Sequence, residues 1–277
     1  MDILQATLIA ILQGATELFP VSSLGHAVVL PALLHSNIDQ RSHEFLPFLV
    51  MLHLGTATAL LAYFWRDWWV LGTGIIGFGG AHQVRESRRV FLLIVIATIP
   101  AVILGFLLEK FFRSLFGSPM LAAAFLVVNG LMLLVTERIR GRGHRDLSSL
   151  RMMDALVIGC WQCGALIPGI SRSGATIVGG LLRGINHEGS AHFSFLIATP
   201  IILGATVLEV PKLMHESVPH GVLSVSAFTA VVAGVTAYLS TWFLMRYFRQ
   251  NDLMALNPFG YYCIVFGLGS LGCLYFL

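Results

Sequence analysis

Residues 13–26 read QGATELFPVSSLGH and lie inside a long apolar opening, MDILQATLIAILQGATELFPVSSLGHAVVLPALL (1–34). A glutamate, two serines and a histidine break that run around Pro20. The apolar pieces on either side, near 3–12 and 24–34, are too short to cross a bilayer, which takes about 17 to 25 residues. Two short greasy helices around a polar kink predict a hairpin that enters a membrane and turns back.

The rest of the chain fits that setting. Charged residues make up 11% of the 277 positions and apolar types 56%, against roughly 25% charged in an ordinary soluble protein. Six stretches are long and apolar enough to span: Phe48–Trp65, Val90–Leu108, Pro119–Thr136, Phe193–Val210, Leu223–Met245 and Phe259–Leu277. A second pair of short pieces, near 153–167 and 176–185, flanks a second kink, PGISRSGAT (168–176). The fold class expected is therefore an all-α integral membrane protein with six transmembrane helices and two re-entrant helical hairpins, folded as one membrane domain over 1–277. Membrane lipids, not nucleic acid, are its expected surroundings. The first Lys or Arg is Arg41, so the N-terminus lacks the basic start of a cleaved signal peptide and is expected to stay. Cys160 and Cys163 sit in an apolar helical run and read as packing groups.

Sliding the chain along itself by about 149 residues places Gln13 on Gln162 and Gly55 on Gly204, and LFPVSS (18–23) meets LIPGIS (166–171) with Ser23 over Ser171. Each half, approximately 1–140 and 150–277, then holds one hairpin and three spans. An odd number of crossings turns the second half upside down, giving an inverted repeat whose two tips meet near the midplane. Of 17 Lys and Arg, 12 fall in segments 66–89, 137–152, 183–190 and 246–252. The positive-inside rule makes those cytoplasmic, so both termini lie outside and the first hairpin enters from the outer face.

Irregular backbone at membrane depth must line a cavity or be buried in protein, so the tips imply a polar chamber. Arg172 stands out, because a buried guanidinium needs an anion from protein or ligand. Ser171, Ser173 and Thr176 surround it with hydroxyls, Gly169 and Gly174 permit close backbone approach, and a helix starting after Ser171 would aim free N–H groups at the same place. Together they describe an oxyanion cradle. From the first tip, Ser23 and His26 are three apart, one turn on a helix face, the minimal pairing of a nucleophile with a base. Gln13 and Glu17 are four apart, and Glu17 could orient His26 or hold a divalent cation, Mg²⁺ or Ca²⁺, by a carboxylate oxygen. Ser22 reads as a helix cap, His53 and His192 as packing groups, and Asn129 as an interhelical hydrogen bond.

QGATELFPVSSLGH and PGISRSGAT closely resemble the two signature motifs of the bacterial undecaprenyl pyrophosphate phosphatases of the bacitracin-resistance type. The similarity runs over essentially the whole chain in length, hydropathy and motif spacing. It implies an enzyme of the bacterial inner membrane, its active site opening to the outer, periplasmic face, that removes a phosphate from a polyprenyl diphosphate lipid to regenerate the carrier used in cell-wall synthesis. It also implies roles for Gln13 and Glu17 in a paired acidic element, for Ser23 and His26, and for Ser171, Arg172 and Thr176. Leu24 departs from the threonine common in the family, and Gln13 is the neutral option of the acidic element, leaving one carboxylate for a cation. Two mechanisms are open: attack by Ser23 assisted by His26, or attack by water activated through His26 and Glu17. A flippase or secondary transporter with a midplane anion site would use the same architecture, and a homodimer is compatible with it.

Overall fold

The computed structural model describes residues 3–34, 45–115, 117–140, 145–215 and 220–276. Twelve α-helices carry the described chain: α1 Ile3–Thr16, α2 Ser23–Leu33, α3 Phe45–Tyr63, α4 Trp65–Ile75, α5 Ala81–Leu107, α6 Glu109–Leu115, α7 Pro119–Ile139, α8 Met152–Gly164, α9 Arg172–Leu182, α10 His187–His215, α11 His220–Gln250 and α12 Asn257–Phe276. Among the described residues there is no strand, only an isolated bridge between Arg145 and Ile185.

Among the described residues, four helices are long and apolar enough to cross a membrane: α5, α7, α11 over Ser224–Gln250, and α12. A fifth crossing arises if α3 and α4 are taken together, although they bend by 77° between Tyr63 and Trp65. α10 contains the fourth apolar stretch, Phe193–Val210, and most side chains of its second half lie outside the described residues. The protein is thus an all-helical, multi-pass membrane protein. The four short apolar pieces form α1 with α2 and α8 with α9, each pair packed together.

The segment after Tyr63 was expected as an inner loop and is instead helical. In α4, Leu71 and Gly74 are buried against α5 while Trp65, Trp69 and Ile76 are exposed along one side. That amphipathic arrangement suits a helix lying at a membrane surface.

Lipid tails are as apolar as leucine, so helices in a bilayer associate by close packing rather than by hydrophobic collapse. Small residues supply the approach here. Gly14 of α1 meets the backbone of Ala233 in α11, and Gly159 of α8 meets the backbone of Ala97 in α5. α7 packs along α12, and α3 lies between α11 and α10. The largest buried cluster gathers Leu60, Leu93, Ile158, Ile177, Phe195 and Ile197, whereas Phe106, Val231 and Val265 are exposed on the outside of the bundle.

One buried carboxylate fixes the mouth of the second hairpin. Asp154 is fully buried in the first turn of α8 and receives hydrogen bonds from Arg145 (2.6 Å), Arg183 (2.7 Å) and the backbone N–H of Arg151 (3.0 Å). Burial opposes its ionisation, but those donors win and draw its carboxyl down to about 2. A carboxyl depressed in the folded state stabilises above the ordinary carboxylate range and loses that contribution as pH falls towards its folded value. Asp154→Asn should therefore lower the melting midpoint of the purified protein at pH 7, and the gap between wild type and variant should narrow when melting is measured in steps from pH 5 to pH 2.

Candidate active site

The two hairpin tips are held together before any chemistry is assembled. Asn129 of α7 donates to the Pro20 carbonyl (2.9 Å) and accepts the Ser171 backbone N–H (2.9 Å), gripping one tip with each end of its amide. The hydroxyls of Ser171 (3.3 Å) and Ser173 (3.0 Å) both donate to the Phe19 carbonyl. These bonds satisfy backbone groups that a kink inside a membrane would leave bare.

Each tip then begins a helix with a serine cap. Ser22 accepts the Gly25 N–H at 3.2 Å and Ser171 accepts the Gly174 N–H at 3.1 Å. The matching helix caps are therefore Ser22 and Ser171, one position away from the expected pairing of Ser23 with Ser171. Ser22 sits at φ 67°, ψ 94°, a strained backbone for a residue with a Cβ. This turn makes Ser23 the first residue of α2, just as Arg172 is the first residue of α9.

Those two first-turn residues meet at one carboxylate. Ser23 donates its hydroxyl to Glu17 Oε2 at 2.7 Å and Arg172 donates from Nη2 to Glu17 Oε1 at 3.1 Å. Gln13 donates from Nε2 to the same Oε2 at 3.0 Å. Three donors converging on two oxygens fit an ionised carboxylate, and Arg172 supplies its counter-charge in a place where neither ion would be stable alone. The second terminal nitrogen of Arg172, Nη1, is buried and has no hydrogen-bond partner among the described residues. An unused guanidinium N–H beside a polar cavity is a vacancy for an anion.

The cavity has a volume of about 150 Å³. Gln13, Glu17, Ser23, His53, Ser171 and Arg172 form its polar wall; Leu24, Ala27, Leu49 and Ile170 form an apolar one. Both helix beginnings, at Ser23 and Arg172, open onto it, so the free N–H groups of two first turns add positive potential there.

Not every expected residue arrives. His26 is fully buried and turned away: Nδ1 lies 2.7 Å from the Ser22 carbonyl and Nε2 lies 2.8 Å from the Tyr262 hydroxyl, with the ring stacked on Phe266. Both ring nitrogens are engaged, so the expected pairing of Ser23 with His26 is corrected; the Ser23 hydroxyl is held by Glu17 instead. Ser173 and Thr176 are buried behind the cavity wall, with Thr176 Oγ1 2.6 Å from Ser194 Oγ. Gly169, at φ 98°, packs against the Ala122 carbonyl, and Gly174 against Pro20. These glycines bring the tips together rather than lining the cavity.

His53 was expected as a packing group, and the structure puts it in the cavity wall. Its Nε2 is 3.2 Å from Gln13 Nε2 and 3.9 Å from Glu17 Oε2, and its Nδ1 is 2.8 Å from the Leu49 carbonyl. The signal that could have found it is a polar side chain in the span that follows the first hairpin, on a helix otherwise apolar. Among the described residues no three of His, Cys, Asp and Glu converge in a way that could hold a metal ion.

A multi-pass helical bundle that gathers a hydroxyl, a carboxylate and a guanidinium around one cavity is a membrane protein with a polar site in its interior. The particular family follows from comparison: the chain belongs to the family described as Bacitracin resistance protein BacA, whose model matches residues 6–269. Among curated proteins it is 64% identical to a protein of Granulibacter bethesdensis named undecaprenyl-diphosphatase, over 100% of this chain and 98% of that one. It is 56% identical to the undecaprenyl-diphosphatase of Acidiphilium cryptum, over 98% of each chain. It is 47% identical to undecaprenyl-diphosphatase 2 of Chromobacterium violaceum, again over 98% of each.

The clamp at Asn129 generates a direct test. Asn129→Leu strands the Pro20 carbonyl and the Ser171 N–H inside the protein, at about 1–3 kcal/mol for each buried group left unpaired. The melting midpoint in detergent is expected to fall clearly, whereas Asn129→Asp, which keeps the acceptor for Ser171, should lose less.

Proposed function

We propose that the chain is an undecaprenyl-diphosphatase: it hydrolyses undecaprenyl diphosphate to undecaprenyl phosphate and inorganic phosphate, and so recycles the lipid carrier of cell-wall synthesis. The observation that carries this reading is the Ser23–Glu17–Arg172 cluster, in which a hydroxyl hydrogen-bonded to a carboxylate stands beside a guanidinium with an unused, buried N–H. The names of the relatives over nearly full length support the same reaction. The mixed lining of the cavity suits the substrate, since it offers polar groups to a diphosphate head and Leu24, Leu49 and Ile170 to the first isoprene units.

In the proposed steps, Arg172 Nη1 and the first-turn N–H groups of α2 and α9 bind the terminal phosphate and stabilise charge as it develops on the transferred phosphoryl group. Ser23 Oγ attacks the terminal phosphorus, its proton passing to Glu17 Oε2, as the bond from phosphorus to the bridging oxygen breaks. Glu17 returns that proton to the departing undecaprenyl phosphate and is a carboxylate again. A water then attacks the phosphoserine; Glu17 takes its proton and passes it to Ser23 Oγ as the bond from phosphorus to that oxygen breaks, and inorganic phosphate is released.

A divalent cation remains part of the proposal only at the substrate. Glu17 is the sole carboxylate among the cavity-lining residues and its oxygens already accept from Gln13, Ser23 and Arg172, so these residues do not compose a cation site of their own and no step is drawn through one. The finer architecture also belongs to this proposal: six spans with two re-entrant hairpins in an inverted repeat. Supporting it, the packing of α1 on α11 is mirrored by that of α8 on α5, and each hairpin ends in the same serine cap. The loop charges support an inner-membrane protein whose cavity opens outward, its exposed apolar belt covered by lipid or, in a homodimer, by a second copy.

Purified protein in detergent, where no sidedness exists, should release phosphate from a C55 prenyl diphosphate; a protein that binds this lipid without releasing phosphate would overturn the enzymatic reading. Arg172→Lys keeps the charge and loses the planar fork, so its rate should fall by about 10²-fold or more. Rapid quenching of a single turnover should trap phosphate on Ser23 in the wild type and none in Ser23→Ala. Turnover without any phosphoserine would transfer the attack to a water held by Glu17.

A further inference from the structure

Glu17 is positioned from the α3 side by a group that neither signature motif contains. A carbonyl can only accept, so the 2.8 Å contact of His53 Nδ1 with the Leu49 carbonyl puts the ring proton on Nδ1 in the neutral ring. Nε2 then presents a lone pair, and it faces the Gln13 amide nitrogen at 3.2 Å. That nitrogen carries two hydrogens: one is used on His53, and the other is aimed at Glu17 Oε2, 3.0 Å away. The result is an unbroken chain from the Leu49 carbonyl through His53 and Gln13 to the oxygen that also receives the Ser23 hydroxyl at 2.7 Å.

We infer that His53 is a positioning residue of the active site: by accepting one N–H of Gln13 it orients the other onto Glu17 Oε2, and so fixes the carboxylate that takes the Ser23 proton. The inference rests on the proposed roles of Ser23 and Glu17. Without the imidazole acceptor, the Gln13 amide is free to rotate about its last torsion, and Oε2 loses the donor that balances Ser23 on the same oxygen. A misplacement of about 1 Å at such a carboxylate can cost about 10²-fold in rate. His53 reaches the reacting oxygen only through Gln13, so its loss should act on turnover and leave substrate affinity largely intact.

Among the described residues, the charged groups facing His53 are few. Glu17 lies 3.9 Å from Nε2, and Arg172 stands beyond it on the other carboxylate oxygen. α1 brings Gln13. On α11 the titratable Tyr238 lies beside Tyr63, at the far end of α3, and on α10 His192 stacks on Phe64 near that same end. The imidazole therefore answers chiefly to the Gln13–Glu17 pair.

The variants His53→Phe, His53→Gln and Gln13→Leu, with the double variant His53→Phe/Gln13→Leu, are to be compared by phosphate release from a C55 prenyl diphosphate. His53→Phe is expected to lower kcat by about 10- to 100-fold with KM changed less than about twofold. His53→Gln, whose side-chain oxygen can accept the Gln13 N–H, should recover most of that loss. The double variant should be hardly worse than either single one, because the two side chains act as a unit. Equal losses for Phe and Gln, a loss confined to KM, or losses that multiply in the double variant would overturn the inference. Should the wild type release no phosphate, the proposed function fails and the inference is still read separately: in ¹⁵N spectra of histidine-labelled protein, the His53 Nε2 resonance must move on Gln13→Leu, and a resonance that stays in place refutes the contact.

Discussion

Everything at the centre of this protein depends on the ion pair between Glu17 and Arg172. Either charge alone would be strongly unfavourable in a largely buried position at membrane depth. Joined at 3.1 Å they neutralise each other, yet incompletely, because Glu17 divides its oxygens among Arg172, Ser23 and Gln13 while Arg172 keeps one nitrogen unpartnered. A fully satisfied pair would be structural cement. The residual imbalance is positive on the Arg172 side and basic on the Glu17 side, and it lies along a cavity wall that also carries two helix beginnings. That combination suits an anion.

The scaffold makes the pair possible by satisfying everything else nearby. Two chain reversals buried within a helical bundle expose carbonyl and N–H groups that need partners. Asn129 takes one group from each tip, Phe19 offers its carbonyl to two serines, and Ser22 and Ser171 close the first turns of α2 and α9. Gly169 and Gly174, where a side chain would collide with Ala122 or crowd Pro20, let the tips approach until a side chain from one can reach the other. Farther out, Asp154 ties the mouth of the second hairpin to Arg145 and Arg183. Conformational freedom is thus removed around the cavity, and the strained backbone of Ser22 is tolerated because its surroundings hold it.

The sequence made the hairpins legible because a short apolar run on each side of a polar kink has few other uses in so greasy a chain. It also singled out Glu17, Ser23 and Arg172, since buried charges must find each other. The direction of side chains was not legible. His26 is three residues beyond Ser23 and shares its helix face by periodicity, but its ring folds back onto the carbonyl of Ser22, four residues earlier, and reaches across to Tyr262 on α12. Ser23, one position into the helix, leans back towards Glu17 instead, following the tilt of side chains to the helix start. Spacing along one helix could not foresee a partner 236 residues away in sequence. His53 was hidden for the same reason, because its significance comes from the packing of α3 beside α1. The helices α4 and α6 were missed because charges read as loop also suit amphipathic helices at a surface.

The two hairpins carry matched helix caps and unmatched side chains. Once the caps are aligned, Gln13, Ser22 and Gly25 stand 149 residues before Gln162, Ser171 and Gly174. The parts that start a helix are therefore common to both halves. The same alignment sets Glu17 against Leu166, Ser23 against Arg172 and His53 against Ile202, so the parts that carry chemistry differ. A helix begins at Ser23 in one tip and at Arg172 in the other, and the first side chain of each points into the shared cavity. One contributes a hydroxyl and the other a fixed positive charge. Had both halves kept the same residue there, the cavity would hold two hydroxyls with nothing to draw an anion, or two guanidiniums with no nucleophile.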